Sequence, residues 1–206
     1  MGDRVFKLSY GWQCIAECRV WNWVFSSFRR GCVLKLEQIE IRIVENYSAQ
    51  DRLNLAGGDC DPAQTASFHL QWQPKTQHVL ILENGIAVSH AGLVKRVVVV
   101  DKRFVAVAGI GGVLTRPDCR GRGFGQIAMQ KAEEFAKQSL MANFGLLFCR
   151  TELCAWYERL GWVQVFEPVW IEQPEGTIRA PLVVMTKGFG ETRWPSGEVR
   201  LGCFPW

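Results

Sequence analysis

The spacing of apolar and polar residues predicts a series of antiparallel strands in the first half of the chain. Residues 39–43 alternate strictly between apolar and polar positions, which is typical of a strand with one buried face. Residues 78–82 and 86–90 flank the Asn84-Gly85 dipeptide, and this arrangement predicts a hairpin with a tight type I′ turn. A second hairpin is predicted from residues 93–100 and 104–114, which flank Asp101-Lys102.

The pattern changes to the helical period after a glycine-rich turn. The run 126–139 predicts a helix, 145–149 a short buried strand, and 151–160 a second helix that Gly161 ends in the left-handed conformation. Two more strands are expected at 162–170 and 181–186, whereas 48–77 is irregular. We therefore expect an α+β fold with a central mixed, mostly antiparallel sheet flanked by helices, formed by residues 36–206 after an aromatic-rich extension at 1–35.

The glycine-rich turn, residues 120–125, is the strongest candidate for a binding site. Its sequence is Arg-Gly-Arg-Gly-Phe-Gly, between a predicted strand and a predicted helix. Backbone N–H groups converge at such a turn, and the helix dipole adds partial positive charge, so the turn favours an anion such as pyrophosphate. A P-loop is excluded because Gly125 is not followed by Lys and Ser or Thr, and the dinucleotide pattern fails because its third glycine falls on Gln126. The pattern R/Q-x-x-G-x-G/A is satisfied; the alternative is a plain flexible turn.

Composition narrows the classes of function. The 206 residues include 24 Lys and Arg against 20 Asp and Glu, a net charge of +4. These basic residues are scattered, so we expect no nucleic-acid partner. The eight cysteines include no C-x-x-C pair and no zinc-like spacing, so we expect reduced thiols, no metal, and a cytoplasmic location without a signal peptide.

The N-terminal segment is rich in tryptophan and phenylalanine and also contains arginine. No uninterrupted apolar run approaches the roughly 20 residues of a membrane span. Three interpretations remain: a packed extension, an interfacial amphipathic helix, or an extension without a function of its own. The aromatic and basic residues concerned are Trp12, Arg19, Trp21, Trp23, Phe25, Phe28, Arg29 and Arg30.

Two linked motifs resemble the GNAT superfamily of N-acetyltransferases. One is the turn with Arg120, Gly123 and Gly125, and the other, about thirty residues later, is Tyr157-Glu-Arg-Leu-Gly161-Trp162. Within the superfamily, residues 88–93, the Val-Ala-Val arm of the second hairpin, and the tail 174–181 with Trp206 resemble the aminoglycoside 2′-N-acetyltransferases. This resemblance covers roughly residues 37–206 and implies the GNAT fold.

The resemblance implies a set of site residues and a mechanism. Acetyl-CoA is the expected co-substrate, and the acceptor is a small-molecule amine, with an aminoglycoside as the leading candidate and antibiotic resistance as the role. Tyr157 is the implied general acid that protonates the departing thiolate, and a phenol with a normal pKa near ~10 can donate at neutral pH. A homodimer is left open. The residues expected to bind acetyl-CoA are Val113, Leu114, Thr115, Arg120, Gly121, Arg122, Gly123, Phe124 and Gly125.

One position departs from the resembled subfamily. A glutamate on the strand before the glycine turn is its presumed base, and Gly111 stands at that position here. An ammonium must lose a proton before it attacks a thioester, so another group is required. His90, Glu83 and the C-terminal carboxylate of Trp206 are the candidates, with Glu83 and Trp206 assigned to the acceptor side.

Two other functions stay open from the sequence. The first is a module that binds acyl-CoA but has lost the transfer chemistry with the glutamate. The second is a membrane-associated acyltransferase that uses the aromatic N-terminal segment as an interfacial foot and takes longer acyl chains. A ping-pong route through an acyl-cysteine lacks an identifiable partner base.

Overall fold

The computed structural model describes residues 4–8, 38–57, 59, 61 and 64–206, with the backbone alone for 4–8. The aromatic cluster of the N-terminal segment and Cys14, Cys18, Cys32 and Cys60 lie outside these residues. The strands are β1 Arg4–Leu8, β2 Ile39–Val44, β3 Gln77–Glu83, β4 Ile86–Val100, β5 Arg103–Thr115, β6 Phe144–Cys149, β7 Val163–Gln164, β8 Val169–Gln173, β9 Gly176–Arg179, β10 Val183–Gly188 and β11 Val199–Arg200. The α-helices are α1 Ala49–Ala56, α2 Phe124–Gln138 and α3 Cys154–Arg159.

The strands form one mixed sheet in the order β1-β2-β3-β4-β5-β6-β10-β7. Every pair along this path is antiparallel except β5 with β6, which α2 connects as a crossover helix. Strand β11 joins the sheet to β8 and β9 by pairing with both β4 and β8. The expected α+β architecture is therefore confirmed.

The two predicted hairpins share a strand. Strand β4 runs unbroken for 15 residues, so the segments expected at 86–90 and 93–100 are parts of one strand. Both turns carry positive φ at two successive residues, 51° and 80° at Asn84-Gly85 and 43° and 70° at Asp101-Lys102. These angles match the type I′ geometry expected from Asn-Gly.

The prediction was less accurate after α2. The helix expected at 151–160 begins as a single 3₁₀ turn at Thr151–Leu153 and becomes α-helical only over α3, which Gly161 follows with φ of 84°. The strand expected at 162–170 is divided into β7 and β8, because Pro168 cannot donate a backbone hydrogen bond in a continuous ladder.

The helices α1 and α2 both pack against β4. The buried side of α2 carries small residues, Ala128, Ala132 and Ala136, which let the helix approach the sheet closely. Leu55 of α1 packs with Leu80 and Leu82 in a separate apolar cluster. The sheet between them holds the candidate site.

Candidate functional site

The site begins where β5 and β6 stop pairing. Their parallel ladder covers only Val107–Ile110 with Phe144–Leu147, although β5 continues to Thr115 and β6 to Cys149. The indole of Trp206 packs at the base of this gap. Its Nε1 donates to the carbonyl of Leu146 at 3.1 Å, and a Cβ placed on Gly109 would lie 2.1 Å from the ring. Within the described part of the chain, the edge of β5 from Gly111 to Thr115 therefore has no strand partner on the β6 side.

A β-bulge shapes this free edge. Gly92 pairs with Gly111 and His90 with Leu114, so two residues of β5, Gly112 and Val113, face one residue of β4. Gly112 takes φ of 60°, which glycine adopts without steric cost. Its carbonyl accepts a hydrogen bond from Nδ1 of His90 at 2.7 Å. Because a trans peptide places C=O and N–H on opposite sides, the N–H of Val113 points away from His90.

Both ring nitrogens of His90 make hydrogen bonds. Since its Nδ1–H donates to Gly112, its Nε2 accepts from Nδ1–H of His78 at 2.9 Å. Burial, with some support from neighbouring positive charge, lowers the pKa of each imidazole to about 4. His90 lines neither of the cavities described below. The structure therefore places this candidate behind the bulge, where it holds the backbone.

The glycine-rich turn lines a cavity of about 430 Å³ together with Val113, Leu114 and Thr115. Gly121 and Gly123 take φ of 76° and 84°, so both use the left-handed conformation that disfavours other residues. Gly123 is the N-cap of α2, a 15-residue helix whose first N–H groups have no intrahelical partner. Gly125 lies against β5, since a Cβ there would lie 3.1 Å from the hydroxyl of Thr115. The turn is a cradle for an anion beside an extended arm.

Glu83 does not lie in the acceptor region expected from the sequence. Its carboxylate accepts two hydrogen bonds from the Arg122 guanidinium, one of them at 2.9 Å from Nη1. The same guanidinium stacks over the Phe124 ring at 4.9 Å. Arg122 and Glu83 line neither cavity, so this ion pair supports the turn from outside. Among the arginines of the turn, Arg120 faces both cavities.

A second cavity of about 530 Å³ adjoins the first. The two share Val113, Leu114, Thr115, Arg120, Leu153 and Tyr157 as a common wall. The Tyr157 side chain is 5% exposed, and its hydroxyl makes no hydrogen bond to any described residue. Burial, with a smaller contribution from Cys149, raises the pKa of Tyr157, so the phenol stays protonated at physiological pH.

The lining of the larger cavity is positively charged. Lys75, Arg120 and Arg150 contribute basic side chains, and no carboxylate side chain of a described residue lines it. Lys75 has no ion pair or hydrogen bond among the described residues, and burial lowers the pKa of its amine. The Nε of Arg150 is buried and has no hydrogen-bond partner among the described residues, while its Nη1 donates to Gln64 at 2.6 Å.

Gly111 and Trp206 meet at the floor of this larger cavity. A Cβ on Gly111 would lie 2.6 Å from the main-chain oxygen of Trp206 and 3.1 Å from Cε of Lys75. The space that a longer side chain would need at position 111 is therefore filled by Lys75 and the tail. The Trp206 indole packs against the sheet and belongs to the core, with the residue 2% exposed.

Lys75 and Arg150 were not among the residues predicted from the sequence. Each is a single basic residue outside any motif, and Lys75 lies in the irregular segment 48–77. A lone lysine or arginine is most often solvated, so only the tertiary structure shows that these two line one cavity. No local signal in the sequence marks them.

The described residues also bear on metal binding, membrane-spanning helices and paired cysteines. They contain no group of three or more His, Cys, Asp or Glu that could hold a metal ion, and none of their helices is long and apolar enough to cross a membrane. The four described cysteines are free thiols. The Sγ atoms of Cys149 and Cys154 lie 3.9 Å apart. Burial, with a smaller contribution from the neighbouring Cys154, raises the pKa of Cys149 to about 12. A thiol held neutral in this way is a poor nucleophile.

The part of the chain that contains the gap, the bulge and the glycine-rich turn is similar to a known family. The model of the Acetyltransferase (GNAT) family matches residues 44–162. The chain belongs to this family. The matched residues include the glycine-rich turn and Tyr157.

Solved structures agree on the GNAT fold. The GNAT family N-acetyltransferase YhbS from Escherichia coli, solved in complex with CoA, is 12% identical over 78% of this chain and 88% of its own, with a TM-score of 0.55. Escherichia coli ElaA is 19% identical over 72% of this chain and 99% of its own, with a TM-score of 0.50. The GCN5-related N-acetyltransferase from Kribbella flavida is 20% identical over 61% of this chain, with a TM-score of 0.46. The chain spans only 33% of the length of that protein. No curated protein sequence matches the chain.

Proposed function

We propose that this GNAT enzyme transfers an acetyl group from acetyl-CoA to the primary amine of a small molecule. The observation that carries the proposal is the common wall of the two cavities, which brings Tyr157 and the bulged edge of β5 to one place. A donor bound on the turn side and an acceptor on the other side would meet at this wall. Direct transfer between them needs no covalent enzyme intermediate.

The smaller cavity fits the donor. The left-handed glycines and the free N–H groups of α2 suit a pyrophosphate, and Arg120 adds positive charge. The edge of β5 at Val113 to Thr115 has main-chain groups that can pair with an extended amide-containing arm. Acetyl-CoA, when bound, supplies the thioester whose acetyl group is transferred. The N–H of Val113, turned away from His90, is the donor we assign to the thioester carbonyl.

Tyr157 is the residue we assign to the departing sulfur. It lines both cavities, and the raised pKa keeps its hydroxyl protonated until a strong acceptor appears. A thiolate leaving in a poorly solvated site is such an acceptor, because burial raises the pKa of a thiol as well. Proton donation of this kind contributes typically ~10²–10⁴-fold to the rate.

The environment of the larger cavity favours a neutral acceptor amine although Gly111 stands where the resembled subfamily has a glutamate. Positive charge and burial both lower the pKa of an ammonium group, and the larger cavity provides both through Lys75 and its apolar wall. We therefore propose that the amine binds largely deprotonated, with no side-chain base at position 111. His90 acts through the Gly112 carbonyl and takes no proton from the acceptor.

The same charge bears on the expected aminoglycoside acceptor. A polycationic sugar would need carboxylates around the cleft, but Asp59, Asp61, Glu172 and Glu175 do not line the larger cavity. Asp61 instead caps the turn at 64–66 by accepting hydrogen bonds from the backbone of Thr65 and Ala66. The cavity thus supports an acceptor amine of low positive charge, and the aminoglycoside rests on sequence resemblance alone.

The Tyr157→Phe variant tests the proposed chemistry. We expect kcat to fall by ~10²-fold or more because the proton donor is lost, with the Kd for acetyl-CoA changed less than about twofold. Thiol release from acetyl-CoA with a panel of small amines measures the first quantity, and calorimetry measures the second. Normal turnover in this variant would remove Tyr157 from the mechanism.

Tyr47→Phe is the matched control, because Tyr47 packs edge-on against the His78 ring and lines neither cavity. It also loses one phenolic hydroxyl, and we expect normal turnover. If the wild-type protein binds acetyl-CoA yet releases no thiol with any amine of the panel, the protein is a binding module and the proposed transfer is wrong.

A further inference from the structure

The wall of the larger cavity includes an arginine with an unpaired donor among the described residues. Arg150 follows the last residue of β6 and donates from Nη1 to Gln64, while its Nε is buried and has no hydrogen-bond partner in the described part of the chain. A buried N–H that is left unpaired costs ~1–3 kcal/mol, so native structures keep such groups rarely. Arg150 also lines the larger cavity, and a guanidinium in a cavity wall is suited to a planar acceptor such as a carboxylate.

Lys75 makes the same cavity more attractive to an anion. Its stem is packed, since a Cβ on Gly92 would lie 2.6 Å from its Cγ and one on Gly111 3.1 Å from its Cε. The amine is therefore held near the floor of the cavity, where no described carboxylate side chain neutralises it. Burial lowers the pKa of this amine, and an anion beside it would reverse that effect.

The rest of the cavity wall limits the kind of anion. Besides the three basic residues it includes Trp72, Phe148, Leu153 and Leu182, which are apolar, and the hydroxyl of Thr65. A phosphate would bring up to two charges and no apolar surface. If the main chain of Trp206 carries one negative charge, the three basic residues still give the wall an excess of positive charge. The wall matches a single carboxylate attached to an apolar body.

We propose that the acceptor is a primary amine that also carries a carboxylate and an apolar body, as in an apolar α-amino acid, and that Arg150 binds the carboxylate. This inference rests on the proposed acetyl transfer for the amine and on the cavity alone for the carboxylate. The transferred acetyl group forms an amide with the amine, its bond to sulfur breaks, and the proton lost by the amine balances the proton gained by the thiolate. The carboxylate takes no part in the bonds that change.

Binding of the carboxylate is tested first without any chemistry. The probe is 3-phenylpropionate, which has the carboxylate and an apolar body but no amine, compared with 3-phenylpropan-1-ol by calorimetry on the full chain. We expect the acid to bind at least tenfold more tightly than the alcohol, and Arg150→Met to abolish this preference. Arg200→Met is the matched control, because Arg200 pairs with Glu198 on the surface and lines neither cavity. Equal affinities for acid and alcohol in the wild-type protein would overturn the inference.

Turnover separates this inference from the proposed function. We expect kcat/KM for L-phenylalanine to exceed that for 2-phenylethylamine and L-phenylalaninamide by at least tenfold, and Arg150→Met to remove the difference. Equal turnover of the three amines would leave acetyl transfer in place and contradict the carboxylate site. Absence of turnover together with acid-selective binding would contradict acetyl transfer and leave the carboxylate site in place.

Thermal unfolding shows whether Arg150→Met still folds. Should it not, Lys75→Met serves as the second variant, because the methionine retains most of the apolar stem that packs against Gly92 and Gly111. We expect this variant to weaken binding of the acid at least threefold and to leave binding of the alcohol unchanged. Unchanged acid binding in that variant would also contradict the inference.

Discussion

His90 shapes the backbone of the candidate site through one hydrogen bond. Its hydrogen bond fixes the carbonyl of Gly112, and the rigid peptide then fixes the N–H of Val113 at the common wall. Protonation of His90 Nε2 would place a proton where the Nδ1–H of His78 already donates. Both hydrogen bonds of His90 are therefore kept only while its ring is neutral.

This arrangement predicts a loss of stability in mild acid. The pKa of His90 falls from 6.5 to about 4 on folding, so between these values the unfolded chain binds the extra proton. The free energy of unfolding should then fall as the pH drops from about 6.5 toward 4, by up to ~1.4 kcal/mol per pH unit for this ring. Urea denaturation at a series of pH values measures the slope.

A glutamine at this position supplies the matched comparison. His90→Gln keeps one N–H donor for Gly112 and one acceptor for His78 but cannot titrate, so we expect a shallower slope in acid. The exposed His69 is the control, and His69→Gln should leave the slope of the wild-type protein unchanged. A His90→Gln protein with the wild-type slope would show that another group causes the acid sensitivity.

At the scale of elements, the gap between β5 and β6 depends on the chain tail that packs into it. The Trp206 ring lies directly over Gly109, where no side chain fits. We expect Gly109→Ala to displace the indole and lower the free energy of unfolding by ~1–3 kcal/mol, as overpacking of a core does. Gly190→Ala is the control, because a Cβ there has nothing within 4 Å, and it should be close to neutral. Equal urea midpoints for the two variants would contradict the tail's role.

The elements also show what could be predicted from the sequence. The Asn84-Gly85 turn, the glycine turn with its helix and the Gly161 helix end all depend on residues next to one another in the chain, and local steric rules predicted them. The gap depends on β6 pairing with β5 across the helix between them, and on Trp206, 60 residues after Leu146. Alternation within one strand carries no information about where its pairing stops. The ion pair of Glu83 with Arg122, 39 positions apart, was missed for the same reason.

The site residues divide in the same way. Residues 113–115, Arg120, Gly121, Gly123, Phe124, Gly125 and Tyr157 line the cavities where the family motifs placed them. Lys75 and Arg150 belong to no motif and reach one cavity only through the fold. The motifs therefore mark the smaller cavity, which we propose binds the donor. The proposed acceptor side depends on residues that only the assembled cavity brings together.

At the scale of the whole molecule, the two cavities are lined by residues between Gln64 and Trp206, and strand β1 lies at one edge of the described sheet. Strand β1 pairs antiparallel with β2, Arg4 opposite Ile43 and Leu8 opposite Ile39, and no described residue before Gln64 lines either cavity. A shortened protein beginning at Leu36 should therefore retain kcat/KM within about threefold. Removing β1 leaves β2 as an unpaired edge, which can pair with other chains.

The expected consequence is association without loss of chemistry. The shortened protein should elute as larger species at concentrations where the full chain does not, and the substitution Ile41→Lys should not rescue it, because Ile41 is buried. Arg42 already places charge on the outer side of β2, but its pairing with Glu40 neutralises that charge. Glu40→Lys in the shortened protein should restore a net positive edge and reduce association, since like charges on facing edges repel.

Co-sedimentation of both lengths with liposomes separates this edge effect from the membrane interpretation: equal binding would leave strand pairing as the role of the extension, whereas binding confined to the full chain would assign the aromatic segment to a lipid surface.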